Sequence, residues 1–304
     1  MGLGVDLGGT KIEAVYLDAQ GREHGRQRVA TPRHDYDGTV RAVADLVRAV
    51  EKTAGLSDFP VGVGIPGSIS PHTGFVRNAN SVWLIGRPFD RDLAEALARP
   101  VRVENDANCF ALSEAFDGAA AGAASVFGVI LGTGVGGGVV IDGRIVTGAN
   151  GIAGEWGHIP LAAATPEELN GPLCYCGRRG CLEVWLAGPA LAADFARATG
   201  AGDAGPTAHD VVEMAGDGDA DAQAALERHM QRLARSLGVV VNILDPEVIV
   251  LGGGLSNMPH LYTELEAAVM PHVFADKARI DIRKARHGDS SGVRGAARLM
   301  EDGP

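Results

Sequence analysis

The sequence predicts an α/β protein built as two domains. Strand-like and helix-like segments are mixed in both halves of the chain, the pattern of α/β layers. Each half opens with a strand, a glycine-rich turn and a second strand. The 304 residues are about twice the usual ~150-residue domain.

In order along the chain, Leu3, Val5 and Leu7 alternate with Gly4 and Asp6. Gly8 and Gly9 then turn the chain into a second run, Ile12 to Leu17, and the whole reads as a β-hairpin. A helix is predicted from Asp37 to Thr53, with Val40, Val43, Leu46, Val47 and Val50 on one face. Strands follow at Val61 to Ile65 and Val101 to Val103, then a helix from Ala107 to Phe116. The second half offers strands at Val126 to Leu131, Gly137 to Ile141 and Arg144 to Thr147. Helices follow at Pro189 to Thr199, His209 to Ala215 and Ala222 to Leu244, the last stopped by Asp245-Pro246. A buried strand (Glu247 to Leu251), a helix (Tyr262 to Val269), a strand (Ile280 to Arg286) and a helix (Ser290 to Met300) complete the chain. The repeated strand, turn and strand suggest an ancient duplication, although no repeat is readable residue by residue.

A net charge of -11 argues against a nucleic-acid partner, which needs clustered Lys and Arg. No apolar run approaches the roughly 20 residues that span a bilayer, and the N-terminus opens directly into a motif. A cytoplasmic protein with no membrane partner is the expectation. The 43 glycines gather in short clusters, where backbone amides could approach a ligand.

Three of the four cysteines, Cys174, Cys176 and Cys181, follow His158. One imidazole and three thiolates make a closed tetrahedral zinc site with no position left for catalysis, so the metal reads as structural. A disulfide with one free thiol is the alternative. Glu155 and Glu183 flank the cluster, and the zinc could hold these two carboxylates in place. Asp6-Leu-Gly8-Gly9-Thr10-Lys11 can cradle a phosphate on exposed N–H groups, or be an ordinary hairpin. The stretch from Leu131 to Gly138 has the same form, with Gly132, Thr133 and Gly134 at its bend. Leu251 to Ser256, with Gly253 and Gly254, offers either a flat surface for a base and ribose or a packing device. Asn105-Asp106 could simply cap a helix. The functional alternative makes Asp106 a general base for a hydroxyl, with Asn105 orienting the same substrate.

Together these motifs resemble the ROK sugar kinases of the actin-like ATPase (ribonuclease H-like) fold, two α/β domains flanking a cleft, over nearly the whole chain. The resemblance implies that Asp6, Gly8, Gly9, Thr10 and Lys11 form the first phosphate turn, Gly132, Thr133 and Gly134 the second, and Gly253 and Gly254 the adenosine loop. It further implies that Asn105, Asp106, Glu155 and Glu183 bind sugar hydroxyls, with His158 beside the sugar as well as on zinc. Segments Pro66 to Gly74, Asn78 to Trp83, Pro88 to Asp90 and His287 to Gly295 look most like bacterial fructokinases that also accept mannose, and bring Gly67 and Asn80 into the sugar site. Bacterial N-acetylglucosamine kinases are similar over Asn105 to Glu114 and the zinc segment.

The reaction expected from this resemblance is transfer of the ATP γ-phosphoryl to the 6-hydroxyl of fructose, with mannose and glucose as further acceptors. Asp106 takes the hydroxyl proton, and Asp6 holds Mg2+ through water. An N-acetylhexosamine kinase is the alternative, and a non-catalytic sugar sensor a more distant one. The family's repressors carry a DNA-binding segment ahead of this fold, for which Asp6 lies too near the N-terminus. A homodimer is also implied. The expected division is a small domain of residues 1–118 with a C-terminal helix at 288–304, carrying the first turn and Asp106. Residues 119–287 form a larger domain with the zinc loop, the second turn and the adenosine loop.

Overall fold

The computed structural model describes residues 2–202 and 205–301. It divides into two compact units, Met1–Gly128 with Gly138–Gly154 and Arg286–Pro304, and Val129–Gly137 with Glu155–Ala285. Residues 119–128 and 138–154 thus cluster with the N-terminal unit. Of the expected division, Met1, 203–204 and 302–304 lie outside the described residues.

The strands are β1 (Gly2–Leu7), β2 (Lys11–Leu17), β3 (Glu23–Ala30), β4 (Val61–Ile65), the short β5 (Ser68–Ile69) and β6 (Val76–Arg77), β7 (Val101–Asn105), β8 (Ser125–Leu131), β9 (Val135–Ile141), β10 (Arg144–Ile145), β11 (Val248–Gly252) and β12 (Ile282–Lys284). The helices are α1 (Tyr36–Ala54), α2 (Phe89–Leu97), α3 (Asp106–Phe116), α4 (Pro166–Leu169), α5 (Glu183–Leu186), α6 (Gly188–Thr199), α7 (Ala208–Gly216), α8 (Ala220–Leu244), α9 (Leu265–Val269) and α10 (Ser291–Arg298). Two five-stranded sheets run β3-β2-β1-β4-β7 and β10-β9-β8-β11-β12. Numbered within each half, both read 3-2-1-4-5. This is the architecture that the suspected duplication anticipates, on the actin-like ATPase fold the sequence predicts.

In unit 1, β1 pairs antiparallel with β2 and parallel with β4, and β4 runs parallel to β7. Asp35 starts α1 by accepting the Gly38 N–H at 2.8 Å, and Gly55 ends it in a left-handed conformation. Its Val43, Val47 and Val50 are fully buried, each contributing about 1.5–3 kcal/mol. Helix α10 packs against β1, β4 and α3, where Gly4, Gly62 and Gly295 make the close approach possible. A Cβ at Gly4 would overlap the Val293 carbonyl, at Gly62 the Ala296 carbonyl and at Gly295 the Cys109 carbonyl. The last helix therefore seats on the first strand by backbone contact.

Several expected elements need correction. The strand from Arg144 ends at Ile145, and the one from Ile280 to Arg286 shrinks to Ile282–Lys284. The helix from Tyr262 is a 3₁₀ turn, Pro259–Tyr262, followed by α9. Strand β3 escaped notice because Glu-His-Gly-Arg-Gln-Arg lies on a mostly exposed edge with no apolar alternation. Among the described residues no helix is long and apolar enough to cross a membrane.

Candidate active site

The first glycine turn closes β1 onto β2 by the Gly8 N–H, which donates to the Lys11 carbonyl at 3.0 Å. The neck of the turn is fixed from outside by Thr31. Its N–H donates to the Thr10 carbonyl at 3.0 Å and its hydroxyl to the Gly8 carbonyl at 2.8 Å. Gly9, Thr10 and Lys11 remain exposed at the tip, the form of turn that can cradle an anion. Two residues before the turn, Asp6 is largely out of water. Burial, and then the negative charge of Glu13, push its pKa up to about 6, while Lys11 and Arg28 act in the opposite sense. A carboxylate held at such a cost is suited to a divalent cation or its bound water.

Asn105 and Asp106 stand where β7 ends and α3 begins. The Asn105 side-chain oxygen accepts the N–H groups of Ala107 and Asn108 at 2.9 and 3.3 Å. Capping is therefore what this asparagine does for the fold. Its amide nitrogen donates to the Gly67 carbonyl at 3.2 Å, which joins two expected sugar residues. Gly67 itself, at φ 140°, has no room for a Cβ beside Ala79, and Asn80 next to it is exposed. Asp106 sits in the first turn of α3, and its Oδ1 accepts the Ala107 N–H at 2.8 Å.

In unit 2 the second turn lies between β8 and β9. The Gly132 N–H donates to the Gly134 carbonyl at 3.0 Å. The loop expected to meet adenosine follows β11, and Gly253, at φ 82°, lies so close to Leu131 that only glycine fits. A cavity of about 1470 Å³ opens here, lined by Gly132, Thr133, Gly188, Gly254, Leu255 and the small residues of α6. Apart from Thr133, Arg197, Thr207, His209 and Asn257 its lining is small or apolar, the mostly apolar surface with a few polar groups of a small-molecule site.

The metal cluster falls in the same unit. The ligand atoms of His158, Cys174, Cys176 and Cys181 all lie within 4.8 Å of one another. Cys174 Sγ is 3.5 Å from His158 Nδ1, and Cys176 Sγ is 3.6 Å from Cys181 Sγ. Tetrahedral zinc with Zn–S of about 2.3 Å needs such ligand–ligand spacings. The donor set therefore fits zinc, and the four protein ligands complete its coordination without a disulfide. Glu155 is half-buried and precedes the 3₁₀ turn Trp156–His158. Glu183 opens α5, its Oε1 3.9 Å from Cys174 Sγ.

Each expected site residue thus falls into one of two groups, one per unit. Tyr175 was not among them. Its hydroxyl lies 2.8 Å from His158 Nε2, and a tyrosine between two ligand cysteines was the available signal. Gly188 was also missed, although its N–H donates to the Gly132 carbonyl at 2.8 Å. Trp156 and Trp185 are buried, as wall or core aromatics should be, and Cys109 is fully buried. His287 pairs with Asp117 at 2.9 Å within unit 1.

The chain belongs to the ROK family, whose model matches residues 2–303. It is 41% identical over 300 residues to the N-acetyl-D-glucosamine kinase of Shigella flexneri serotype 5b, covering 97% of this chain and 98% of that one. The enzyme of that name from Escherichia coli O6:H1 is 41% identical over 301 residues, with the same coverage. Among solved structures, a ROK hexokinase from Thermus thermophilus superposes with a TM-score of 0.86 at 35% identity, covering 99% of both chains. A ROK family glucokinase from Streptomyces griseus, solved with glucose and AMPPNP, gives 0.80 at 31% identity and the same coverage. None of these four relatives is named a fructokinase.

Proposed function

We propose that this chain is an ATP-dependent sugar kinase that phosphorylates the 6-hydroxyl of N-acetylglucosamine. The observation that carries the kinase reading is the cavity bounded by Gly132, Thr133 and Gly254, in a ROK chain that also keeps Asn105-Asp106 at a helix start. The relatives named as N-acetyl-D-glucosamine kinases support the choice of sugar over fructose.

In this reading Asp106 accepts the proton of the attacking hydroxyl as the oxygen–phosphorus bond forms and the bond to the β–γ bridging oxygen breaks. ADP leaves with that bridging oxygen. Asp6 would hold Mg2+, which would offset charge on the phosphate oxygens, and the N–H groups of the glycine turns, with Thr10, Lys11 and Thr133, act in the same sense. Gly67, Asn80, Asn105, Glu155, His158 and Glu183 bind and orient the sugar, each carboxylate able to accept more than one hydroxyl. Gly253 and Gly254 pack on the adenosine. Zinc, held by His158, Cys174, Cys176 and Cys181, supplies rigidity and no chemistry. The enzyme acts in the cytoplasm as a homodimer.

The test is a coupled ADP-release assay on N-acetylglucosamine, N-acetylmannosamine, glucose, mannose and fructose. The highest kcat/KM is expected for N-acetylglucosamine. A preference for fructose would restore the first expectation, and no transfer to any sugar would point to a sensor.

A further inference from the structure

The zinc segment and the second glycine turn meet through three hydrogen bonds and two close approaches, made by four residues of the segment, and Glu183 is central among them. Its Oε2 accepts the Val135 N–H at 3.1 Å. A Cβ at Gly134 would come within 2.7 Å of the same oxygen. On one side, Gly188, five residues after Glu183, donates its N–H to the Gly132 carbonyl. On the other, Trp156 Nε1 donates to the Gly136 carbonyl at 2.9 Å, and Gly157 lies against the Val135 carbonyl without room for a Cβ. All four anchors lie between residues 156 and 188, the stretch that also holds the metal ligands.

We infer that Glu183 is a positioning residue for the nucleotide: its carboxylate fixes the backbone of the second turn, and so the floor of the cavity at Gly132 and Thr133, before any sugar is present. The inference rests on the kinase reading and adds a second role to a residue assigned there to the sugar. The gain for the nucleotide is pre-organisation of the turn. A glycine-rich turn left free visits many backbone states, and a ligand that needs one of them binds more weakly in proportion to its population. A charge-assisted hydrogen bond to Val135, with the side chain crowding Gly134, removes most of those states in advance. The two oxygens divide the work. Oε2 faces the turn and Oε1 faces the metal cluster, so Glu183 carries the order of the cluster into the nucleotide cavity.

The experiment is calorimetric titration of the full-length, metal-loaded protein with ADP·Mg2+ and no sugar. Loss of a hydrogen bond to a charged acceptor predicts that Glu183→Ala weakens ADP binding about tenfold or more. Glu183→Gln keeps an oxygen that can accept from Val135, and should retain ADP affinity within about threefold of wild type. If Glu183→Ala does not fold, Glu183→Asp draws the carboxylate back by one methylene and is titrated instead. Wild-type ADP affinity in the alanine variant, or in the aspartate variant used in its place, overturns the inference. So does an equal loss in alanine and glutamine variants that retain their metal. If the wild-type protein itself fails to bind ADP, the kinase reading fails first, and the two failures are told apart.

Discussion

The imidazole of His158 works from both ends: Nδ1 faces the Cys174 thiol at 3.5 Å, and Nε2 meets the Tyr175 hydroxyl at 2.8 Å, with the rings edge to face. A metal on Nδ1 leaves Nε2 protonated and donating to the tyrosine oxygen, so Tyr175 fixes both tautomer and ring orientation. Tyr175→Phe keeps the ring and removes the acceptor. Zinc affinity, measured by chelator competition, should fall about 10–100-fold. Unchanged affinity would show that the cysteines alone fix the ring.

Removing a ligand has a larger effect. Cys176→Ser should release zinc on dialysis, seen by elemental analysis, and weaken sugar binding. Retained metal with unchanged sugar affinity would separate the cluster from the sugar site.

Asp106→Asn should fold normally, because Asn105 supplies the principal cap of α3 and both residue types are accepted near a helix start. Sugar binding by calorimetry should persist, while kcat falls about 10²–10⁴-fold, the usual worth of a general base. Near wild-type turnover would remove the base assignment.

Asp6 gives a pH signature. Its folded pKa of about 6 lies above the ordinary value of 3.8, so folding favours the protonated form. The resulting stabilisation is complete below about pH 4 and is lost as pH rises through 6, leaving the ligand-free protein roughly 3 kcal/mol less stable near neutrality. Asp6→Asn should therefore match wild type near pH 4 and exceed it at pH 7.5, in urea unfolding without Mg2+. A difference constant with pH would contradict the burial argument.

Gly295→Ala places a methyl on the Cys109 carbonyl, where backbone meets backbone and neither side yields easily. Overpacking of this kind costs about 1–3 kcal/mol or more. A thermal midpoint equal to that of wild type would mean that α10 can lift away from α3.

What could be read in advance follows from how local each signal is. The glycine turns, the Asn105-Asp106 cap and the three ligand cysteines are short motifs recognisable from a few adjacent residues, and the structure brings His158 to the cysteines. Helices α1, α3, α6, α7 and α8 end within one or two residues of expectation because apolar spacing and end signals agree. Strand β3 and helix α2 lacked such agreement. The fructose expectation rested on short segments such as Pro66 to Gly74, which holds little more than the two-residue β5, whereas the relatives matched along the whole chain are named N-acetyl-D-glucosamine kinases. The Glu183 contact to Val135 joins residues 48 positions apart, and no local pattern announces it.

The glycine seam beneath α10 also dictates an order of assembly. Strand β1 is translated well before α10, the helix that covers it, so the sheet of unit 1 waits with one face open until Ser291–Arg298 has been made. The intervening unit 2 can already be folded by then. Termination just after Ala285 would leave the metal-binding unit whole and the N-terminal sheet bare, a product for chaperones and proteases to remove.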